Sequence, residues 1–138
     1  MGRILAFDYG LKRVGVAVTD PLQIIANTLE TLPNASVFDF VKKYCSAEDV
    51  EAFVVGYPYS HGTNQNEIIK HIDGFIAKLE QLYPGKKVHK VDESFTSKIA
   101  SQTLIMSGVN KKQRRDKGHI DAISANIILQ SYLEMKRP

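Results

Sequence analysis

Arg3-Ile4-Leu5-Ala6-Phe7-Asp8 and Arg13-Val14-Gly15-Val16-Ala17-Val18-Thr19 are β-rich runs of strand length, with only Tyr9-Gly10-Leu11-Lys12 between them. Parallel neighbours need a crossover of about a dozen residues or more, so a link this short permits only an antiparallel hairpin. A third run from Ile24 through Leu32, with Thr28 and Thr31 in it, extends the hairpin to a three-stranded antiparallel meander. The apolar period then changes. Asn34 is placed to cap a helix that carries Val37, Phe38, Val41 and Tyr44 at helical spacing. Glu51-Ala52-Phe53-Val54-Val55-Gly56 reads as a short buried strand ended by Gly56 and Pro58.

From Thr63 to Tyr83 the positions Ile68, Ile72, Phe75, Leu79 and Leu82 define one face of a long helix, which Pro84-Gly85 stops. Gly74 in its interior costs about 1 kcal/mol relative to alanine. Lys86 to Asp92 is a further strand, Thr96 to Met106 a helix ended by Gly108, and Gly118 to Met135 a last helix burying Ile120, Ile123, Ile127 and Leu133 or Tyr132. The order βββ-α-β-α-β-αα predicts an α/β fold, a mixed sheet with helices packed on its faces. At about 100 to 200 residues per domain, residues 1–138 make one domain. No apolar run approaches the ~20 residues of a membrane span, and Met1-Gly2-Arg3 opens into a strand rather than a signal peptide, so a soluble, cytoplasmic protein is expected. Cys45 can form no internal disulfide or thiolate zinc site and reads as the inner face of a helix.

The net charge of +3 is unevenly spread. Residues 1–83 carry 7 basic and 10 acidic side chains, residues 84–118 carry 9 and 3, and the remainder balance. Lys111-Lys112-Gln113-Arg114-Arg115-Asp116-Lys117 alone contributes +4, which suggests a polyanionic partner. The competing reading is a solvated loop, and either way the segment from Val109 to Gly118 is expected to be mobile and exposed.

Asp8 stands where the first strand ends, Glu93, beside Asp92, where the last strand ends, and Asp121 in the first turns of the final helix. Each has a plain alternative: a turn starter at Asp8, a solvated strand-end charge at Glu93, a favourable helix N-terminal charge at Asp121. If the three converge, they repel one another unless hard cations neutralise them, and two such ions are the usual route to phosphodiester hydrolysis.

Four stretches then fall into a pattern: Phe7-Asp8-Tyr9-Gly10 with Lys12-Arg13 and Gly15-Val16-Ala17; Val54-Val55-Gly56-Tyr57-Pro58 with His61-Gly62-Thr63; Asp92-Glu93-Ser94-Phe95-Thr96-Ser97; and Lys117-Gly118-His119-Ile120-Asp121-Ala122-Ile123-Ser124-Ala125. In this order and over essentially the whole chain they resemble the YqgF family, described as RuvC-like Holliday-junction resolvases and as pre-16S rRNA nucleases. The resemblance implies a ribonuclease H-like fold, with a five-stranded mixed sheet whose first three strands are antiparallel. It implies Asp8, Glu93 and Asp121 as catalytic, metal-binding acids and Mg²⁺ or Mn²⁺ as cofactor. Ser94 stands where the family usually has arginine, and Tyr57 and Tyr59 where leucines are usual. The phosphate-binding role then falls to Lys12, Arg13 and Lys117, with Lys111, Lys112, Arg114 and Arg115 of the basic segment. His61 and His119 are read as solvated or hydrogen-bonded loop histidines.

The expectation is a metal-dependent endonuclease on structured nucleic acid, pre-rRNA or branched DNA, working as a monomer or homodimer. A noncatalytic nucleic-acid-binding module associated with ribosome maturation or transcription is the alternative. Asp8-x-Gly10 before Val14-Gly15-Val16-Ala17 also resembles the phosphate-binding hairpin of sugar kinases and actin-like ATPases, but those proteins close two domains around ATP.

Overall fold

The computed structural model describes residues 2–58, 66–92 and 117–136, with side chains for 2–58, 67–92 and 122–136. Its elements are β1 (Arg3–Tyr9), β2 (Arg13–Thr19), β3 (Ala26–Pro33), a 3-10 turn (Asn34–Ser36), α1 (Val37–Ala47), β4 (Val50–Tyr57), α2 (Asn66–Leu82), β5 (Lys87–Asp92) and α3 (Lys117–Lys136). The strands form one sheet in the order β3-β2-β1-β4-β5. β2 runs antiparallel to β1 and β3, whereas β4 is parallel to β1 and β5 to β4. This is the mixed sheet with an antiparallel opening that the sequence predicts. The expected helix from Thr96 to Met106 lies outside the described residues.

Strand alternation divides the core into two layers. Leu5 and Phe7 of β1 point to one side, where Val14, Val16, Phe53 and Val55 meet Val37 and Val41 of α1 and Ile72, Phe75 and Leu79 of α2. Phe7 is fully buried there, edge-on to Phe75 with ring centroids 5.3 Å apart. Ile4 and Ala6 point to the other side, where Ala17, Ala52, Val54 and Val91 meet Ala125, Ile128, Leu129 and Leu133 of α3. Of the positions expected to be buried on the last helix, Ile127 and Leu133 are buried, but the fully covered residues are Ala125, Ile128 and Leu129. The face that meets the sheet is thus centred further round the helix than the isoleucine spacing suggests.

Three local expectations are corrected. The third strand begins at Ala26 rather than Ile24, because Asp20 Oδ1 accepts the backbone N–H groups of Ile24 (2.7 Å) and Ile25 (2.9 Å) and folds the chain into a tight loop. Gln23 in that loop has φ = 60°, a left-handed conformation costly for a residue with a Cβ, and its side chain is tied at both ends: Nε2 donates to Gly2 O and Oε1 accepts from Lys136 Nζ. Leu82, expected on the apolar face of the long helix, is 51% exposed at its last position. Asn34 caps no helix. α1 starts after Ser36 without a side-chain cap, and Asn34 bonds elsewhere, to the β1–β2 turn.

Candidate functional site

Phe7 of β1, Val55 of β4 and Lys90 of β5 form one row across the three parallel strands. Asp8 lies one residue beyond that row and Asp92 two, so both end at the same edge of the sheet. Two strand spacings separate β1 from β5, about 10 Å. Asp8 follows Ile4 and Ala6 in the alternation and so occupies the α3 side of the sheet, half-buried at its edge.

The direction of α3 follows from its far end. Lys136 Nζ reaches Gln23 Oε1 at 2.8 Å, and Gln23 in turn holds Gly2 O at 2.7 Å, so the last turn of α3 sits at the start of β1. The ring of Tyr132 lies 4.9 Å from that of His89, and Asn126 Nδ2 donates to Thr28 Oγ1 at 3.0 Å. The helix therefore runs opposite to β1. From Gly2 to Asp8 a strand advances about 20 Å, and from Lys136 back to Asp121 a helix advances about 22 Å. The backbone of Asp121 is thereby level with Asp8, one turn before Ala125, which packs on the sheet. Lys117 and His119 belong to the same first turn of α3.

The β1–β2 turn completes the described part of this edge. Asp8, Tyr9, Gly10, Lys12 and Arg13 line a cleft of ≈ 360 Å³ closed on one side by Ile68 of α2. Lys12 and Arg13 are exposed and line the same cleft as Asp8. At the end of β4 Tyr57 donates its hydroxyl hydrogen to Asp73 Oδ1 of α2 at 3.0 Å, with Lys90 Nζ 4.7 Å from its ring centroid. Neither Ile68 nor Asp73 is signalled as a neighbour of this edge by sequence spacing, because only the packing of α2 brings them there.

Glu93, Lys111, Lys112, Arg114, Arg115 and His61, with Ser94, Tyr59 and the expected mobile loop, lie outside the described residues, and the side chains of Lys117, His119 and Asp121 are outside them too. Among the described residues no group of three or more histidine, cysteine or acidic side chains stands ready for a metal. Cys45 is half-buried against the α1–α2 layer, and burial pushes its thiol up from the ordinary value, which suits a packing residue and not a nucleophile.

Residues 2–135 match the family described as "RuvX: Holliday junction resolvase". The chain belongs to that family. It is 50% identical over 137 residues to "Putative pre-16S rRNA nuclease" of Flavobacterium johnsoniae, covering 99% of both chains. It is 48% identical over 134 residues to the protein of the same name from Porphyromonas gingivalis, covering 97% of each. Its fold matches "T. thermophilus RuvC in complex with Holliday junction substrate" with a TM-score of 0.59 over 98% of this chain and 96% of that one, at 16% identity. The architecture is ribonuclease H-like, as the resemblance implies. The family is one of nucleases, hydrolases acting on ester bonds. No helix among the described residues is long and apolar enough to cross a membrane.

Proposed function

We propose that residues 1–138 act as one metal-dependent endonuclease domain in the cytoplasm, cutting phosphodiester bonds of structured nucleic acid: the 5′ end of pre-16S rRNA, Holliday junctions, or both. The observation that carries this reading is the single sheet edge at which β1 and β5 end and α3 begins, with Asp8 on the side of the sheet that α3 covers. The family resemblance adds Glu93, which follows Asp92 in the sequence, and Asp121 of α3. In this reading Asp8, Glu93 and Asp121 are the three acids of the site.

An all-carboxylate donor set fits hard divalent ions, so these three would hold Mg²⁺ or Mn²⁺. A divalent cation held there lowers the pKa of an attacking water and neutralises charge that builds on the phosphodiester. The protein's own part is to present the Asp8 carboxylate at the end of β1 and to hold the sugar-phosphate backbone. Lys12 and Arg13 serve that second role beside Asp8, joined by Lys117 and by Lys111, Lys112, Arg114 and Arg115. Contacts of this kind position the duplex and read little sequence.

The test is cleavage of a 5′ precursor fragment of 16S rRNA and of a four-way DNA junction, with Mg²⁺ or Mn²⁺, by the native protein and by Asp8→Asn. The native protein is expected to cut at least one substrate, and Asp8→Asn to cut it at least about 100-fold more slowly while still binding it. The noncatalytic module is favoured by Ser94, which stands where the family usually has arginine. Tight binding with no cleavage by either protein would establish it instead.

A further inference from the structure

The turn that carries Lys12 and Arg13 is held from outside by Asn34. Asn34, the first residue after β3, donates from Nδ2 to the carbonyl of Gly10 at 2.8 Å, and its backbone N–H donates to the carbonyl of Lys12 at 2.9 Å. The two carbonyls bracket Leu11, so the tip of the turn is pinned on both sides. Gly10 leaves the turn no slack: a Cβ there would stand 2.6 Å from the carbonyl oxygen of Arg13. Leu11 is 51% exposed and Lys12 and Arg13 are exposed as well, so burial does little to fix this segment. The hydrogen bonds of Asn34 add order to a segment that packing leaves exposed.

We propose that Asn34 is a positioning residue, which holds Lys12 and Arg13 beside Asp8 so that both cations meet phosphates flanking the bond to be cut. The proposal rests on the nuclease reading above and names what prepares its substrate-binding edge. A cation on a loose turn loses rotational and backbone freedom when it engages a phosphate, whereas a cation on a pinned turn has already lost it. The amide suits the task because it donates to Gly10 without adding a charge. An aspartate of the same shape would oppose a carboxylate to a carbonyl oxygen and add a negative charge where phosphate must approach.

The experiment measures affinity for the four-way DNA junction and the 16S rRNA precursor fragment across a range of salt, together with kcat and KM. The proteins compared are the native chain, Asn34→Ala, Lys12→Ala/Arg13→Ala and the triple variant. Asn34→Ala is expected to weaken binding about fivefold, the loss of roughly one net hydrogen bond. It should lower the slope of log affinity against log salt by about one unit and raise KM while kcat stays within about twofold. Added to Lys12→Ala/Arg13→Ala, it should change nothing further, because its effect runs through those two cations. Asn34→Ser keeps a polar residue at the start of the 3-10 turn but falls short of Gly10; it carries the same expectation should the alanine variant fold poorly. If the two-cation variant loses affinity and slope while Asn34→Ala and Asn34→Ser keep both, Asn34 positions nothing. If the two-cation variant itself binds as the native chain does, the turn meets no phosphate and the proposal falls, while cleavage by the native protein still upholds the nuclease.

Discussion

Phe7 and Asp8 are neighbours in β1 and point to opposite sides of the sheet. Phe7 fills the layer beneath α1 and α2 with no exposure, so Phe7→Ala should cost about 3–5 kcal/mol in a urea unfolding curve. Asp8→Asn should leave that curve nearly unchanged and abolish cleavage, so a parallel loss of stability would make Asp8 a structural residue. His89 gives the pH dependence at this scale. Burial against α3 disfavours its imidazolium, and Lys87 and Lys136 repel it, so its pKa lies below the ordinary value. The folded protein therefore holds that proton less tightly than the unfolded chain. The stability this contributes is complete above about pH 6.5 and is lost as the pH falls below it toward the folded value. Replacing His89 with glutamine should flatten the drop in thermal midpoint between roughly pH 7 and 5. Asp20 and Glu51 act in a lower window, since hydrogen bonds from Ile25 to Asp20 and from Gly2 to Glu51 depress both acids. Their contributions are present above the ordinary carboxylate range and disappear as the acids protonate.

Among the elements, α2 shows how closely local pattern can follow structure. Ile72, Phe75 and Leu79 are buried as their spacing predicts, and Gly74 is exposed between them with nothing within 4 Å of an added Cβ. Gly74→Ala should thus stabilise the protein by about 1 kcal/mol, read as a higher urea midpoint at an unchanged slope. No change would mean that the unfolded chain or a neighbouring contact absorbs the gain. The β1–β2 hairpin is equally legible, because a link of four residues leaves it one geometry. Asn34 and the loop before β3 are not. Asn34 has the chemistry of a cap, and only the proximity of the Gly10 carbonyl diverts it. Ile24 and Ile25 have the composition of a strand, but the Asp20 side chain captures their N–H groups first. In both places a side chain competes for backbone partners, a contest that periodicity does not record.

For the whole molecule, the candidate site depends on distances between elements far apart in sequence. Asp8, Glu93 and Asp121 can be recognised as acids near element ends, yet only the strand register and the direction of α3 bring the ends of β1 and β5 and the start of α3 to one edge. If those acids bind a cation only when folded, millimolar Mg²⁺ or Mn²⁺ should raise the thermal midpoint. The gain is about 2.7 kcal/mol at a concentration one hundred times the dissociation constant. Asp8→Asn should blunt that rise, and an equal rise in the variant would remove Asp8 from the ligand set.

The covering of one side of the sheet by α3 has a consequence for synthesis. Ile4, Ala6, Ala17, Val54 and Val91 are translated long before Ala125, Ile128 and Leu129, the residues that roof them. A chain still emerging from the ribosome can pair its strands and seat α1 and α2, but among the described residues the helix that packs on this aliphatic surface is the last to be made. Asp121, proposed above as an acid of the site, arrives with that same helix. A nuclease built this way would be harmless to the RNA around it while it is being made, and chains halted before residue 117 should aggregate rather than cut.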